Sequence, residues 1–561
     1  MHNKKASALM VFVVAGALAL AACSRAPSGT TSKAPVAPAN AFRIRVTANA
    51  GLTPWIEQAV DKFNQSGTKL AAGKPVFVDV SIVEAGQAVS DMTDGTNLPA
   101  LWIPDDAVWA AVLAKRGQTG YQANCVSVAQ SPLVIAMWRP IAEALGWPGR
   151  ALGWLDVGTL AADPSEWAYY SGGKYGAALR IGHTHPGLSG SGVSTLLAIV
   201  QAARSKTDPV TVADINDPIV QASVKAFEGA VASFSPSTDK MGETLYQRGS
   251  DFMGGGVEYE STLINNGGGG GDTDLVAIYP FEGTFMATHP ACVNDGADAQ
   301  TQEAAKLFRD YLLKSDVQQT AVSAGLRPAT ASAGVSLGAP FDTEHGVDPA
   351  QPKVVYGAPS VDTLLAVSNL WQSARKNVNL VMLIDISGSM RGAKIDSVRT
   401  AAMQFAQQMG DNDFLTLMTF SDKIRVLIDH KKVADARANA VAQINGIQAS
   451  GNTSLYDAIG TAAGLLKKSN SAETSNVMVV LTDGQDTSSN QYSMNQKLID
   501  TAAANNTTVF TIAYGEDADQ DVLLKLASGG KGNFYAGNTA NIASIYQEMS
   551  AAFGGSVGIG R

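Results

Sequence analysis

The 561-residue sequence predicts an α/β protein with two large folded regions, and two patterns predict it. Between residues 42 and 330, strand-like and helix-like segments alternate, as they do where helices cover both faces of a sheet. Between residues 376 and 555, apolar strands alternate with amphipathic helices in the order expected of a doubly wound, mainly parallel sheet. The 45% hydrophobic fraction supplies enough apolar side chains for several large cores.

The N-terminal segment has the features of an export signal. Two lysines precede an apolar run over residues 8–22, and small residues end that run just before Cys23. Leu20-Ala-Ala-Cys resembles the lipobox of bacterial lipoproteins. This resemblance implies that residues 1–23 are a lipoprotein signal peptide and that Cys23 becomes the lipid-modified first residue. The alternatives are an uncleaved N-terminal anchor and a plain signal peptide with an incidental cysteine.

Residues 24–41 predict a flexible tether. They are rich in Pro, Ser, Thr and Ala, and a segment with so few large apolar side chains cannot form a core. No later segment approaches the roughly 20 apolar residues that a membrane-spanning helix needs. We therefore expect contact with a membrane through the lipid anchor only, in the bacterial cell envelope and facing the periplasm or the exterior.

The charge balance argues against a nucleic-acid partner. Asp and Glu outnumber Lys and Arg by 50 to 41, which gives a net charge of −9, and no basic run occurs. Nucleic-acid-binding surfaces depend on clustered Lys and Arg. We expect no nucleic acid among the partners.

Two cysteines remain beside Cys23. Cys125 and Cys292 could form one disulfide in an exported protein. Their spacing alone does not show that they meet, so two buried free thiols stay open as the alternative.

The region 42–330 resembles the two-lobed extracytoplasmic solute-binding proteins of bacteria, of the type that includes the sulfate and molybdate binders. The resemblance rests on an opening strand and helix over residues 42–65, on the Ser/Gly-rich stretch Gly187-Leu-Ser-Gly-Ser-Gly-Val-Ser, and on the late strand Asp274-Leu-Val-Ala-Ile-Tyr-Pro. It implies a periplasmic-binding-protein-like fold with a ligand between the lobes, such as a small anion taken up by an ABC-type system.

Three serines are the candidate ligand-binding residues of this region. Ser189, Ser191 and Ser194 lie where a helix is predicted to begin. Unpaired N–H groups and the positive end of the helix dipole favour an oxyanion at such a position. Ordinary N-capping without a ligand is the alternative.

Residues 331–375 are predicted to link the two regions. Their first half is small, polar and irregular, whereas residues 360–372 carry apolar side chains at helical spacing. This second part predicts a helix that packs on the first region.

An oxygen-rich loop opens the second region. The apolar strand Val381-Met-Leu-Ile ends in Asp385-x-Ser387-x-Ser389, which places one carboxylate and two hydroxyls on a tight turn. Hard oxygen ligands of this kind suit Mg²⁺, Mn²⁺ or Ca²⁺. Open α/β sheets also present their sites at the carboxyl ends of strands.

Two later loops add Thr453 and Asp483. The five residues Asp385, Ser387, Ser389, Thr453 and Asp483 together resemble the metal-ion-dependent adhesion site (MIDAS) of a von Willebrand factor type A (VWA) domain, a doubly wound, Rossmann-like fold. The resemblance implies a VWA domain over residues 376–555 in which all five residues serve a divalent cation. Mg²⁺ is the expected ion, with Mn²⁺ and Ca²⁺ as alternatives.

The resemblance also implies how that cation is used. A small cation prefers about six ligands, and the protein supplies too few direct ones. In the family, a carboxylate of a protein partner fills the open position. The alternative is a domain that retains the loops for folding and binds no partner.

No constellation of residues predicts catalysis. Gly388-Ser-Met-Arg-Gly-Ala-Lys lacks the spacing of a phosphate-binding loop. His183 and His185 lack the further ligands that a zinc site needs. We therefore expect a binding protein rather than an enzyme. Metal-dependent adhesion or assembly is the favoured function, and reception of a solute is the alternative.

Overall fold

The structure is a computed structural model that describes residues 36–267, 274–329, 334–471 and 473–555. Cys23, the predicted signal peptide and the first part of the predicted tether lie outside the described residues. Within the described residues, no helix combines the length and apolar content that a membrane crossing requires.

The region before residue 330 forms two lobes, each built on its own sheet. Its strands are β1 (Phe42–Ala48), β2 (Val76–Ile82), β3 (Leu101–Ile103), β4 (Cys125–Ser127), β5 (Ala129–Trp138), β6 (Ile181–Thr184), β7 (Val231–Ser235), β8 (Gly255–Tyr259), β9 (Leu275–Ile278), β10 (Met286–Ala287), β11 (Pro290–Val293) and β12 (Arg327–Pro328). Its helices are α1 (Thr53–Ser66), α2 (Ala85–Met92), α3 (Val108–Lys115), α4 (Arg139–Ala144), α5 (Trp154–Ala162), α6 (Pro164–Ser171), α7 (Gly190–Arg204), α8 (Val212–Ile215), α9 (Pro218–Ala230), α10 (Thr238–Arg248), α11 (Glu260–Asn266), α12 (Ala299–Leu312) and α13 (Ser315–Ser323).

The strand order separates the lobes. The first sheet has the order β2-β1-β3-β11-β4, and the second has the order β10-β5-β8-β6-β7, with β9 and β12 also pairing with β5. Strand β1 runs parallel to β2 and β3, whereas β11 returns antiparallel to β3. The chain therefore enters the second lobe after β4 and comes back to the first with β11. This confirms the predicted two-lobed α/β architecture.

Helix α14 (Val361–Ala374) joins the first region to the second. Ser360 caps it by accepting a hydrogen bond from the Thr363 N–H. Its apolar face packs against α7, α8 and α9, and the Trp371 indole N–H donates to Glu228 of α9 at 3.2 Å. The second lobe thus acquires its last helix from a segment that lies directly before the next domain.

The second region is a six-stranded sheet with helices on both faces. Its strands are β13 (Asn377–Asp385), β14 (Phe414–Phe420), β15 (Ile424–Lys432), β16 (Thr474–Thr482), β17 (Thr508–Tyr514) and β18 (Lys531–Gly537). Its helices are α15 (Ala393–Gln408), α16 (Val433–Asn445), α17 (Leu455–Lys468), α18 (Gln496–Ala502), α19 (Gln520–Gly529) and α20 (Ile542–Ala552). The order is β15-β14-β13-β16-β17-β18, and β15 alone among these strands pairs antiparallel.

Strand β13 explains why both faces are covered. Leu380, Met382 and Ile384 lie in a core with α15, α16 and α20, whereas Val381 and Leu383 lie in the opposite core with α17 and α19. Successive side chains of a strand point to opposite faces, so a continuous apolar run requires helices on each side. The predicted doubly wound fold is confirmed.

Candidate functional site

The predicted metal ligands lie at one edge of the second sheet. Asp385 is the last residue of β13, and Asp483 directly follows the neighbouring parallel strand β16. Ser387 and Ser389 lie on the loop between β13 and α15, where Gly388–Met390 forms a short 3-10 turn. Parallel strands end at the same edge, so the doubly wound order brings residues almost 100 positions apart together.

Hydrogen bonds join four of these residues into one cluster. The Ser387 and Ser389 hydroxyl oxygens are 3.1 Å apart, and the Ser389 hydroxyl donates to Asp483 Oδ1 at 2.7 Å. Asp385 accepts from the Ser387 N–H at 2.7 Å and from the Thr482 hydroxyl at 2.6 Å. Thr482, which the sequence pattern did not single out, therefore fixes the orientation of the Asp385 carboxylate.

Thr453 lies on the third loop, just before α17. Its backbone is held by Thr487, whose hydroxyl accepts from the Thr453 N–H at 2.9 Å and whose N–H donates to the Thr453 carbonyl at 2.8 Å. The Thr453 hydroxyl oxygen lies 3.8 Å from where a Cβ on Gly484 would be. It therefore faces the turn that carries Asp483. The Gly388 N–H donates to the Gly451 carbonyl at 2.9 Å, which ties this loop to the first one.

The two carboxylates are buried close together. Asp385 and Asp483 are fully buried, whereas Ser389 is exposed, so the cluster opens to solvent on its hydroxyl side. Burial raises the pKa of Asp385, and the neighbouring Asp483 charge adds to that increase, against the hydrogen bonds from Thr482 and Ser387. The Lys394 ammonium lies 2.5 Å from Asp483 Oδ2 and offsets part of the negative charge of that carboxylate.

The donor set fits a hard divalent cation. Two carboxylates and three hydroxyls on converging loops are the oxygen ligands that Mg²⁺ or Mn²⁺ prefers. No cluster of three or more His, Cys, Asp and Glu side chains that could hold a metal was found among the described residues. A softer metal such as zinc would need a ligand set of that kind.

The two histidines of the zinc alternative have structural partners. His183 Nε2 lies 3.0 Å from Glu228 Oε1. His185 Nε2 lies 2.7 Å from the Gly555 carbonyl oxygen, and its Nδ1 accepts from the Gly187 N–H. Both rings are fully buried, and neither shares a partner with the other.

The three candidate serines of the first region lie at the start of α7. The Ser191 hydroxyl lies 2.7 Å from the Thr184 hydroxyl and 3.0 Å from that of Ser189. Ser189 is the N-cap residue but makes no side-chain capping bond. Only Ser194 is partly exposed, and it lines a cavity of about 20 Å³ between the lobes, together with Asp105 and Tyr259.

Asp105 lies against the start of α7, where the serines predicted a bound anion. A Cβ on Gly190, the first residue of α7, would lie 1.8 Å from Asp105 Oδ2. The Tyr259 hydroxyl donates to the same oxygen at 2.5 Å, and Oδ1 is buried with no hydrogen-bond partner among the described residues. A carboxylate of the chain itself therefore lies against the helix start, and this disfavours a small anion there.

A second buried acid, Glu84, also disfavours an anion between the lobes. Glu84 accepts from the Thr238 N–H and from the Asn49 side-chain amide, each at 2.8 Å. Burial, together with the Asp105 charge, raises the pKa of Glu84 to about 8, and burial raises the pKa of Asp105 to about 6. The space between the two lobes, which we call the interlobe cleft, therefore holds two buried carboxyl groups, those of Glu84 and Asp105. Asp105 follows the short strand β3, and this strand-end position was the one sequence signal that could have pointed to it.

Cys125 and Cys292 are joined by a disulfide in the structure. They lie directly opposite each other on the antiparallel strands β4 and β11. The bond therefore links the end of the outgoing chain to the strand that returns to the first lobe.

Comparisons with known proteins match the two regions separately. The family model described as bacterial extracellular solute-binding protein matches residues 44–327. The von Willebrand factor type A domain model matches residues 379–548.

Curated relatives align over limited lengths. An uncharacterized protein of Synechocystis sp. is 26% identical over 179 residues, which are 31% of this chain and 41% of that protein. Inter-alpha-trypsin inhibitor heavy chain H4 of Homo sapiens is 32% identical over 162 residues, which are 27% of this chain and 17% of that protein. The chain thus spans less than half the length of these curated relatives.

Solved structures resemble each region in turn. A periplasmic thiamin binding protein is 12% identical with a TM-score of 0.44, covering 60% of this chain and 96% of that one. A von Willebrand factor type A protein from Catenulispora acidiphila is 23% identical with a TM-score of 0.29, covering 32% of this chain and 42% of that one.

Proposed function

Since the chain belongs to the bacterial extracellular solute-binding protein family and carries a von Willebrand factor type A domain, we propose that it is a membrane-anchored extracytoplasmic binding protein. In this proposal the VWA domain holds a divalent cation and, through it, grips a carboxylate of a protein partner. The outcome is metal-dependent adhesion or assembly rather than catalysis.

One observation carries the proposal: three loops bring a complete set of hard oxygen donors to one sheet edge. The cation, Mg²⁺ in this proposal, would be held by Asp385, Ser387, Ser389, Thr453 and Asp483. When bound, the cation would supply a Lewis-acidic position for an incoming carboxylate. The exposed Ser389 side of the cluster is where a partner could approach.

The residues around the five proposed ligands would orient the ligands and balance part of their charge. Thr482 and the Ser387 N–H hold the Asp385 carboxylate in one orientation. Lys394 balances part of the Asp483 charge. Hydroxyl ligands add no negative charge, so the cation would stay electron-poor enough to attract an external carboxylate.

The proposed location is the bacterial envelope. Residues 1–23 would be removed, Cys23 would carry the lipid, and residues 24–41 would hold the folded part away from the membrane. The disulfide between Cys125 and Cys292 supports an oxidising compartment outside the cytoplasm.

A second candidate function is reception of a solute for an ABC-type uptake system. The two-lobed fold favours it, because ligands of such proteins lie between the lobes. The buried carboxylates of Glu84 and Asp105 favour a cationic or neutral solute over the small anion expected from the serines.

The main proposal is tested by removing the first metal ligand. In Asp385→Ala, Mg²⁺ binding measured by calorimetry should be lost, and capture of envelope proteins in Mg²⁺ should fall to the level seen in EDTA. Asp396→Ala is the matched control, since Asp396 pairs on the surface of α15 with Arg399, and it should behave as the wild type. Equal Mg²⁺-dependent capture by Asp385→Ala and the wild type would overturn the proposal.

A further inference from the structure

A cavity of about 50 Å³ lies where the second lobe meets the VWA domain. It is separate from both sites described above. Val231, Phe234 and Phe252 line it from the lobe, and Val378, Val477 and Phe510 line it from the VWA sheet. We call it the interdomain cavity.

The interdomain cavity lies at the edge of the VWA sheet opposite the metal centre. Val378 and Lys531 are at the amino-terminal starts of β13 and β18. Asp385 and Asp483 lie at the carboxyl ends of β13 and β16. In a parallel sheet these ends are on opposite edges, so a ligand of the cavity and a partner at the metal would not compete for space.

Four cationic side chains lie at or beside the cavity, and we call them the basic cluster. Arg248, Lys376 and Lys531 line it directly. Arg248 lies over the Phe252 ring, with its guanidinium carbon 3.8 Å from the ring centroid, and the Arg180 guanidinium carbon lies 5.9 Å from the same centroid. The two arginines of the lobe therefore share one aromatic neighbour.

The basic cluster has only neutral hydrogen-bond acceptors. Arg248 donates to the Asn533 side-chain oxygen at 2.7 Å. Lys531 and Lys376 donate to the backbone carbonyls of residues 251 and 229 at 3.1 and 3.3 Å. Arg180 Nε is buried, and none of the residues that the structure describes accepts a hydrogen bond from it. Within the part of the chain that the structure describes, none of the four makes a salt bridge to a carboxylate.

The cations also act on one another. Burial lowers the pKa of Arg248 to about 10, with a further lowering from the Arg180 charge. Burial, then the Arg180 charge, lowers the pKa of Lys376. The same two causes lower the pKa of Lys531, partly offset by Asp251 and reinforced by Arg248. Arg180 is therefore close enough to oppose the charge of the other three.

One carboxylate does line the cavity, and its oxygens are already engaged. Glu228 Oε1 lies 3.0 Å from His183 Nε2, and Glu228 Oε2 accepts from the Trp371 indole at 3.2 Å. The carboxylate that lines the cavity is therefore bonded elsewhere, and the exposed Asp251 acts on Lys531 without a salt bridge among the described residues.

Lys376 and Lys531 are exposed, and Arg180 and Arg248 are half-buried. Like charges that gather at one cavity without a salt bridge among the described residues repel one another, so such a cluster favours an anionic ligand.

We propose that the interdomain cavity binds an oxyanion, such as a phosphate group, between Arg180, Arg248, Lys376 and Lys531. Guanidinium groups present paired N–H donors that match the oxygens of phosphate, and the two lysines add point charges. Because the arginines belong to the solute-binding lobe and Lys531 belongs to the VWA sheet, the anion would bridge the two domains.

The test is a titration of the full chain with inorganic phosphate against chloride at equal ionic strength. EDTA is present, so the metal centre does not contribute. We expect a saturable rise in the thermal unfolding midpoint of the wild type, because a ligand that binds only the folded state stabilises it. In Lys531→Gln the apparent affinity for phosphate should fall by roughly tenfold or more, the range of a lost charge-assisted hydrogen bond.

The phosphate-free midpoints provide a second readout. Removing one member of a like-charged cluster should leave the anion-free midpoint of Lys531→Gln equal to or above that of the wild type. If Lys531 had only a structural role, its replacement would lower the phosphate-free unfolding midpoint. Arg248→Gln should lose phosphate affinity in the same way, and Lys467→Gln, an exposed lysine on α17, should keep it.

Two further measurements distinguish phosphate binding at this cavity from binding between the lobes and define the kind of ligand. Ser194→Ala should keep the full phosphate response. A parallel titration with glycerol 3-phosphate distinguishes a site for free phosphate from a site for a phosphate group on a larger molecule, and tighter binding of either supports the proposal. No phosphate-specific rise in the wild type, an unchanged affinity in Lys531→Gln, or loss of the response in Ser194→Ala would each overturn it.

Discussion

At the scale of single residues, the proposed metal site could be recognised in the sequence far more easily than the acidic residues between the lobes. Asp385, Ser387 and Ser389 occur within five positions, so their loop is visible as a pattern. Asp105 is about 85 residues before Gly190, and only the fold brings its carboxylate against the start of α7. No local pattern reports such a contact.

The contact between Asp105 and Gly190 gives a residue-scale prediction. In Gly190→Ala the new methyl group would overlap the Asp105 carboxylate, so we expect a loss of about 1–3 kcal/mol in stability. Gly229→Ala is the control, because a Cβ there meets nothing within 4 Å and Gly229 lies near the end of α9. It should be neutral or gain up to about 1 kcal/mol from helix propensity. Thermal denaturation of both variants checks this, and equal midpoints would contradict it.

At the scale of elements, a buried ion pair fixes the junction between the two domains. Arg375, which ends α14, donates from both terminal nitrogens to the Asp413 carboxylate at 3.0 Å each. Asp413 also accepts from the N–H groups of Val378 and Gly410 at 2.9 and 2.8 Å. Both side chains of the pair are 2% exposed. The start of β13 is thus anchored to the loop before β14 and to the last helix of the lobe.

Loss of one partner of this pair should be costly. Asp413→Asn leaves Arg375 buried without its counter-charge, and breaking such a pair costs about 3–5 kcal/mol. Asp411→Asn, two residues away, interrupts the pair with Arg437 in which the aspartate is 78% exposed, and it should cost less than about 1 kcal/mol. Chemical denaturation followed by circular dichroism measures both. A similar small loss in the two variants would show that Arg375 finds another partner.

Sequence periodicity predicted most elements of the VWA domain because β13, β14 and β16 are apolar runs between clear helices. In the solute-binding region it missed the short strands β4 and β10, which have three and two residues. Strands of that length carry too few positions for an alternation to be recognised. They form because neighbouring strands offer them hydrogen bonds, and this is a tertiary effect.

At the scale of the whole molecule, the C-terminal end of the VWA domain docks on the solute-binding lobe through His185. The Gly555 carbonyl accepts a hydrogen bond from Nε2, and Nδ1 accepts from the Gly187 N–H. The bond that Nδ1 accepts requires the neutral ring with its proton on Nε2. Burial, with smaller contributions from the Arg375 and His183 charges, lowers the pKa of His185 to about 3.

This docking should weaken in acid. The unfolded chain binds a proton at His185 near its ordinary pKa of about 6.5, whereas the folded chain does not, so the stabilisation is complete above that pH and is lost as the pH falls towards 3. The slope is about 1.4 kcal/mol per pH unit. Glu84 and Asp105, whose pKa values are raised, contribute with the opposite sign.

The variant His185→Gln separates the effect of His185 on stability from the opposite effects of Glu84 and Asp105. The drop in unfolding midpoint between pH 7.0 and pH 5.5 should be smaller in His185→Gln than in the wild type. His345→Gln, at a partly exposed histidine paired with Asp342, should follow the wild type. An unchanged drop in His185→Gln would mean that docking does not depend on the neutral ring.

The sequence by itself determined the fold class of both regions and the membership of the proposed metal set. Strand and helix periodicities are local, and the five proposed metal ligands lie on loops whose place in a doubly wound sheet is fixed by strand order. Only the tertiary structure decided that the cleft is acidic, that Arg375 and Asp413 join the domains, and that four cations meet around one cavity. Those features depend on side chains from distant elements coming together, and their energies arise only on burial.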